Sequence, residues 1–190
     1  YHSLKANPGK RAAVIAVESP AATFQYTDHS MANIISAAIF GDGASCVLMS
    51  SEPETEGPRI LEEGMYHFPE TTHLMGFDLT NSGLKMILDP AVPETISDHF
   101  YPMLGPFLAK QDKELSDLKH LIFHPGGRKI VQTVSELFKG QEANLDDTRE
   151  VLRCFGNMSS ATVLYVLERF LEREIPAGEL GLLLSFGPGF

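Results

Sequence analysis

Leu118-Lys-His-Leu-Ile-Phe-His-Pro-Gly-Gly-Arg-Lys129 is the stretch that decides the class of fold. Leu118 to Phe123 reads as a short buried strand. Proline pushes the residue before it out of the helical region, so His124 is held extended at the strand's end. Gly126 and Gly127 carry no side chain, so another backbone or a long thin ligand can come close. From about Lys129 to Lys139, the residues Ile130, Val131, Val134 and Leu137 fall on one face of a helix. A strand feeding a helix is the unit of α/β proteins, and in open α/β sheets ligands bind beyond the strand ends.

The alternation continues on both sides of this unit. Downstream, Asp146 to Cys154 reads as a short helix. Asn157 starts a longer one as its N-cap, with Ala161, Leu164, Leu167 and Leu171 as the buried stripe. Leu180 to Phe186 is a last strand, broken by Gly187-Pro-Gly189. Upstream, a helix runs from Pro90 and Pro93 to about Lys110. Asn81-Ser-Gly83 turns a hairpin between Met75–Leu79 and Leu84–Leu88. Ile60 to Phe68 reads as a further strand, and Ser50 to Pro58 as a solvated turn. Ala12 to Ser19 and Ala44 to Met49 read as strands buried on both faces. A helix over Met31 to Ala38 lies between them, and the turn Phe40-Gly-Asp-Gly-Ala44 follows, with positive φ expected at its glycines. The expected class is α/β, helices layered around a mixed sheet, with residues 1–190 forming one region.

The chain has 190 residues, of which 43% are hydrophobic, with 15 Lys and Arg against 25 Asp and Glu, a net charge of −10. That composition supports a sizeable core and excludes disorder as the main state. The anionic excess argues against a nucleic-acid partner, which demands a cationic surface. No apolar run reaches the ~18 residues of a membrane span. The opening Tyr1-His-Ser-Leu-Lys suggests a segment of a longer protein. Cys46 and Cys154 form no CxxC pair and read as buried free thiols of a reducing cytosol. His120 and His124 would point to one face of a strand some 13 Å apart, so no metal site is expected.

Taken singly, His124 is most simply a hydrogen-bonded structural residue and Asn157 a helix cap. Asn157 near a helix's positive end is also a neutral donor suited to a developing oxyanion. In order, Thr23-Phe24, Phe40-Gly-Asp-Gly-Ala44, His124-Pro-Gly-Gly127, Gly156-Asn-Met-Ser-Ser-Ala161 and Phe186-Gly-Pro-Gly189 carry a resemblance. The chain resembles the C-terminal part of the chalcone/stilbene synthase family, type III polyketide synthases of thiolase fold.

The resemblance implies a decarboxylative Claisen condensation of malonyl-CoA onto an acyl starter, by a cytoplasmic homodimer. CoA thioesters are the substrates, and no cofactor or metal is called for. His124 and Asn157 match the family's catalytic histidine and asparagine. Phe24 matches a phenylalanine that orients the malonyl group, and Met86 replaces an aromatic gatekeeper. The flexible Met86 side chain implies an adaptable cavity mouth. Gly126, Gly127, Gly187, Pro188 and Gly189 would line the path of the pantetheine arm, and Arg128 and Lys129 could meet CoA's anionic end. The family's nucleophilic Cys falls upstream of Tyr1; neither Cys46 nor Cys154 matches it, so the chain alone is expected to be inactive. Two other readings are a different thiolase-fold condensing enzyme, such as a ketoacyl-carrier-protein synthase III, and a non-catalytic thiolase-like module for dimerisation or binding.

Overall fold

The computed structural model describes residues 1–53 and 56–188. A short helix α1 (His2–Ala6) precedes β1 (Arg11–Glu18), α2 (Met31–Ile39) and β2 (Gly43–Ser50). The hairpin β3 (Met75–Thr80) and β4 (Gly83–Leu88) leads into the long helix α3 (Val92–Ala109). Then follow β5 (Leu118–Phe123), α4 (Arg128–Leu137), α5 (Asp146–Phe155), α6 (Thr162–Leu171) and β6 (Leu180–Leu184). Parallel and antiparallel pairing both occur, as expected of a mixed α/β chain. Among the described residues they are divided among three two-stranded ladders, however, rather than joined in one sheet.

The parallel β5–β6 ladder organises the core. Successive side chains on a strand point to opposite faces. Leu121 and Phe123 therefore enter a large cluster with Ile96 and Phe100 of α3 and Val131 and Val134 of α4. Ile122, between them, enters a second cluster with Val151 of α5 and Val166 and Phe170 of α6. Helices thus cover both faces of β5, which fixes where its C-terminal end points.

The antiparallel β1–β2 ladder, with Glu18 opposite Gly43, corrects the expectation of strands buried on both faces. Ile15 is 69% exposed and Val17 73%. An apolar run records side-chain chemistry, not coverage: Tyr165 of α6 reaches the Ala44 carbonyl of β2 and Ser160 reaches Glu18 of β1, while Ile15 and Val17 stay on the open side of the ladder. Residues 60–68 form no strand. Phe68 is nevertheless buried, its ring stacked on His99 at 4.6 Å between centroids. The glycines of Phe40-Gly-Asp-Gly-Ala44 do not take positive φ. They are glycine because the turn is packed against another: a Cβ on Gly41 would stand 2.8 Å from the Phe155 carbonyl oxygen, and one on Gly43 would collide with Met158. Cys46 and Cys154 are both exposed rather than buried. Cys46 lies on the open ladder, and Cys154 on the outer face of α5.

Candidate active site

His124 is presented by the end of β5. The Phe123 carbonyl accepts a hydrogen bond from buried Thr148 Oγ1 at 3.0 Å, and the His124 N–H donates to the Leu184 carbonyl at 2.9 Å. Past Pro125 the Gly126 N–H returns to the His124 carbonyl at 2.9 Å, closing a tight turn under the imidazole. The Cδ2–Nε2 edge of the ring faces Gly126: a Cβ built there would lie 3.8 and 3.9 Å from these two atoms and 3.1 Å from Ile130 Cδ1. The absent side chain keeps that space open.

Asn157 reaches the same turn. Its Nδ2 donates to the Gly126 carbonyl at 3.1 Å, and its Oδ1 accepts from the Ser159 N–H at 2.8 Å. These two bonds settle which way the amide points, and among the described residues one Nδ2 hydrogen remains uncommitted. The backbone is held as firmly. Its N–H donates to the Ile39 carbonyl at 2.8 Å, its carbonyl accepts from the Gly41 N–H at 3.0 Å, and Phe40 pairs with it as an isolated parallel bridge. Asn157 is therefore not the N-cap of α6: a 3-10 turn, Ser159–Ala161, intervenes. Ser160 Oγ donates to Glu18 at the end of β1, tying this loop to the first ladder as well.

His124 is 8% exposed and Asn157 4%. Among the described residues no group hydrogen-bonds the His124 ring, and burial alone lowers its pKa from 6.5 to about 4. The imidazole is neutral at pH 7, so one ring nitrogen donates and the other accepts. The unfolded chain takes up this proton near pH 6.5 and the folded chain only near pH 4. Stability present above pH 6.5 is thus lost as the pH falls through that window, by up to about 3 kcal/mol. Titration of the His124 ring by NMR checks this. A midpoint near 6.5 would mean that the site is wet.

Phe24 is 49% exposed, edge-to-face with Tyr26. The phenylalanine whose backbone joins Asn157 is Phe40, which the sequence reading passed over as the start of a turn. Its signal was its place directly before the Gly41 contact. Met86 lies on β4 opposite Phe77, and its Sδ accepts from buried Ser36 Oγ of α2 at 3.0 Å. Gly127 is the residue preceding α4, while Arg128 and Lys129 are exposed on its first turn. Gly187 is half-buried behind Phe186, which packs between Phe68 and Phe123, and Pro188 is exposed. Gly189 lies outside the described residues. His120 is turned to Glu179, Nε2 to Oε2 at 2.6 Å. Among the described residues no three His, Cys, Asp or Glu side chains could hold a metal ion, and no helix is long and apolar enough to cross a membrane.

Residues 62–190, the part holding both His124 and Asn157, match the family described as chalcone and stilbene synthases, C-terminal domain. The chain belongs to that family. Among its chalcone and stilbene synthase relatives, 1,3,6,8-tetrahydroxynaphthalene synthase of Streptomyces peucetius subsp. caesius is 34% identical over 192 residues, covering 98% of this chain and 51% of the relative. A putative chalcone synthase of Bacillus subtilis (strain 168) is 29% identical, covering 98% of this chain and 53% of its own. The crystal structure of 1,3,6,8-tetrahydroxynaphthalene synthase from Streptomyces coelicolor A3(2), a bacterial type III polyketide synthase, superposes with a TM-score of 0.90 at 30% identity. It matches 99% of this chain and 54% of that one. The fold is the thiolase-like α/β fold of these enzymes, and the chain spans about half the length of the relatives named.

Proposed function

We propose that this chain carries the enolate-stabilising part of a type III polyketide synthase, an acyltransferase that condenses malonyl-CoA onto an acyl starter with loss of CO₂. One observation carries the reading: the Asn157 amide and the Nε2 edge of His124, both buried, converge on the Gly126 turn from two different elements. When malonyl-CoA loses CO₂, the electron pair of the broken C–C bond moves onto the thioester oxygen. The free Nδ2–H of Asn157 and an Nε2–H of neutral His124 would both donate to that oxygen. Such donors work best where water is excluded and their orientation is fixed beforehand. The enolate carbon then attacks the acyl starter's thioester carbonyl; a new C–C bond forms and the thiolate that held the starter departs.

That thiolate belongs to a Cys supplied by sequence outside this chain, in our reading. Cys46 and Cys154 are exposed on other faces, and Cys154 sits against Arg153 and Glu150. A thiolate brought beside His124 would add the opposite charge that favours its protonated form, offsetting the desolvation. The uncovered apolar residues of β1 fit a chain that is packed against further polypeptide in the intact enzyme.

Acyl-CoA and malonyl-CoA fit better than a carrier protein. A groove of about 540 Å³ between α4 and α5 is lined by Arg128, Arg149 and Arg153. However, Arg149 is paired with Asp146 at 3.3 Å and Arg153 with Glu150 at 2.6 Å, so little free positive charge remains for an acidic docking partner. Arg128 and Lys129 are left for CoA's anionic end. Gly126, Gly127 and the Gly187–Gly189 segment would border the pantetheine path. No cofactor enters the scheme. A cytoplasmic homodimer completes the proposal, and the free thiols accord with a reducing compartment.

Incubating the intact protein with an acyl-CoA and labelled malonyl-CoA tests it. Polyketide product is expected, with the acyl group on a Cys other than Cys46 or Cys154. No CO₂ release from the intact protein would refute the reading. Stoichiometric acylation of Cys154 would show the nucleophile to be misplaced.

A further inference from the structure

Two places after Asn157, Ser159 holds φ 51°, in the left-handed region that residues with a side chain occupy at a cost. Such a conformation persists where its surroundings over-determine it. Here Thr162 does so, the first residue of α6 and fully buried. Its hydroxyl accepts from the Met158 N–H at 2.7 Å and donates to the Ser159 carbonyl at 2.9 Å. One hydroxyl thus grips two peptide units, those on either side of the unit whose N–H holds Asn157 Oδ1. The peptide joining Asn157 to Met158 is fixed at both ends, its carbonyl by the Gly41 N–H and its N–H by Thr162.

Met158 is 2% exposed, and among the described residues its N–H has no acceptor besides Thr162 Oγ1. Without the hydroxyl that buried donor is unpaired, and the Asn157–Met158 peptide must turn to satisfy it. The loop as a whole does not hang on this contact. The Ser160 N–H donates to Glu18 Oε1 at 3.3 Å and the Ala161 N–H to the Met158 carbonyl at 3.2 Å. The Thr162 N–H itself returns to the Ser159 carbonyl. Removing the hydroxyl would therefore loosen the unit next to Asn157 and leave the 3-10 turn in place.

We propose that Thr162 is a positioning residue, acting through Asn157: its hydroxyl sets the Met158 and Ser159 peptides so that the free Nδ2 hydrogen of Asn157 stays aimed at the reacting oxygen. The consequence for catalysis rests on the polyketide synthase reading above. Donors to a developing oxyanion work when their orientation is fixed beforehand, so a loosened amide costs rate rather than substrate binding.

The test uses the intact protein as wild type, Thr162→Val, which keeps the shape without the hydroxyl, and Thr162→Ser, which keeps the hydroxyl without the methyl. Thr162→Val is also made in an Asn157→Ala background. CO₂ release from malonyl-CoA gives kcat and KM, and NMR follows solvent exchange of the Asn157 side-chain amide. Thr162→Val should lower kcat roughly 10-fold with KM little changed, and speed the amide exchange by a similar factor. Thr162→Ser should restore both. In the Asn157→Ala background Thr162→Val should change the rate by less than ~2-fold, a non-additivity that a merely structural threonine would not produce. A Val variant with wild-type kcat or wild-type amide exchange, a Ser variant as slow as Val, or a loss that multiplies with Asn157→Ala overturns the proposal. Thr162→Ala, smaller and a good helix former, replaces Val if urea titration shows the Val variant unfolded. Unfolding of both would make Thr162 a residue of the fold alone and overturn the proposal too. A wild-type protein that releases no CO₂, with the amide loosened in the variant as expected, would instead overturn the synthase reading and leave the Thr162–Asn157 coupling standing.

Discussion

Asn157→Ala is expected to lower malonyl-CoA decarboxylation and polyketide formation by about 10²–10³-fold in the intact enzyme, with KM for malonyl-CoA little changed. The size is that of one lost donor to a developing oxyanion in a buried site. The split between kcat and KM follows because the enolate oxygen carries its charge only after CO₂ begins to leave. Asn157→Asp sharpens the point. A carboxylate keeps an acceptor for the Ser159 N–H, but it would face both the Gly126 carbonyl and the enolate with negative charge. It should be at least as damaging as Ala. An Asp variant of near-normal rate would mean that Asn157 only shapes the loop. Steady-state rates of CO₂ release and product formation, measured side by side, decide this.

Gly156→Ala should destabilise the fold by about 3 kcal/mol or more and disable the site with it. Gly156 has φ 71° and ψ −159°, a region that residues with a side chain avoid at a cost of roughly 1–3 kcal/mol. An added Cβ would also stand 2.6 Å from the Ile39 carbonyl oxygen, a backbone atom that cannot swing away. That carbonyl accepts the Asn157 N–H, so relieving the clash displaces Asn157. Urea unfolding of the variant, read with its decarboxylation rate, should show both losses together. Wild-type stability would contradict the packing described for this junction.

Much of this was legible in the sequence because the signals were local. Leu118–Phe123 reads as a short strand with Pro125 just beyond it, and the strand has those bounds. The hairpin, α3 and α4 followed from turn residues and helical periodicity. Residues 60–68 misled because Tyr66 and Phe68 look like strand residues. Phe68 is buried by partners distant in sequence, among them the His99 ring stacked on it from α3 and Phe186. The glycines at 41 and 43 suggested backbone freedom, whereas their reason is the approach of Phe155 and Met158, which only folding brings near. Exposure of Ile15 and Val17 could not be foreseen, since a sequence does not say which layers will cover a strand.

The same division holds for the site. His124 was readable from His-Pro-Gly-Gly as a residue held at a strand's end. Asn157 was readable as a junction residue, but its capping role was not what folding selected. Its Oδ1 bonds the Ser159 N–H, and Ser159 has φ 51°, so the chain turns once more before α6 begins. Phe40 and Ser36 escaped notice because their partners, Asn157 and Met86, are reached only through tertiary pairing.

The central claim is that His124 and Asn157 hold one and the same enolate oxygen. A double-mutant cycle on malonyl-CoA decarboxylation, comparing wild type, His124→Ala, Asn157→Ala and the double variant of the intact enzyme, tests it most directly. Residues that act as a unit on one atom lose their effect together. Each single variant should fall by about 10²–10³-fold, and the double variant should be little slower than the slower single. Losses that multiply would mean the two side chains serve different atoms, and a wild-type decarboxylation rate in either single variant would contradict the account.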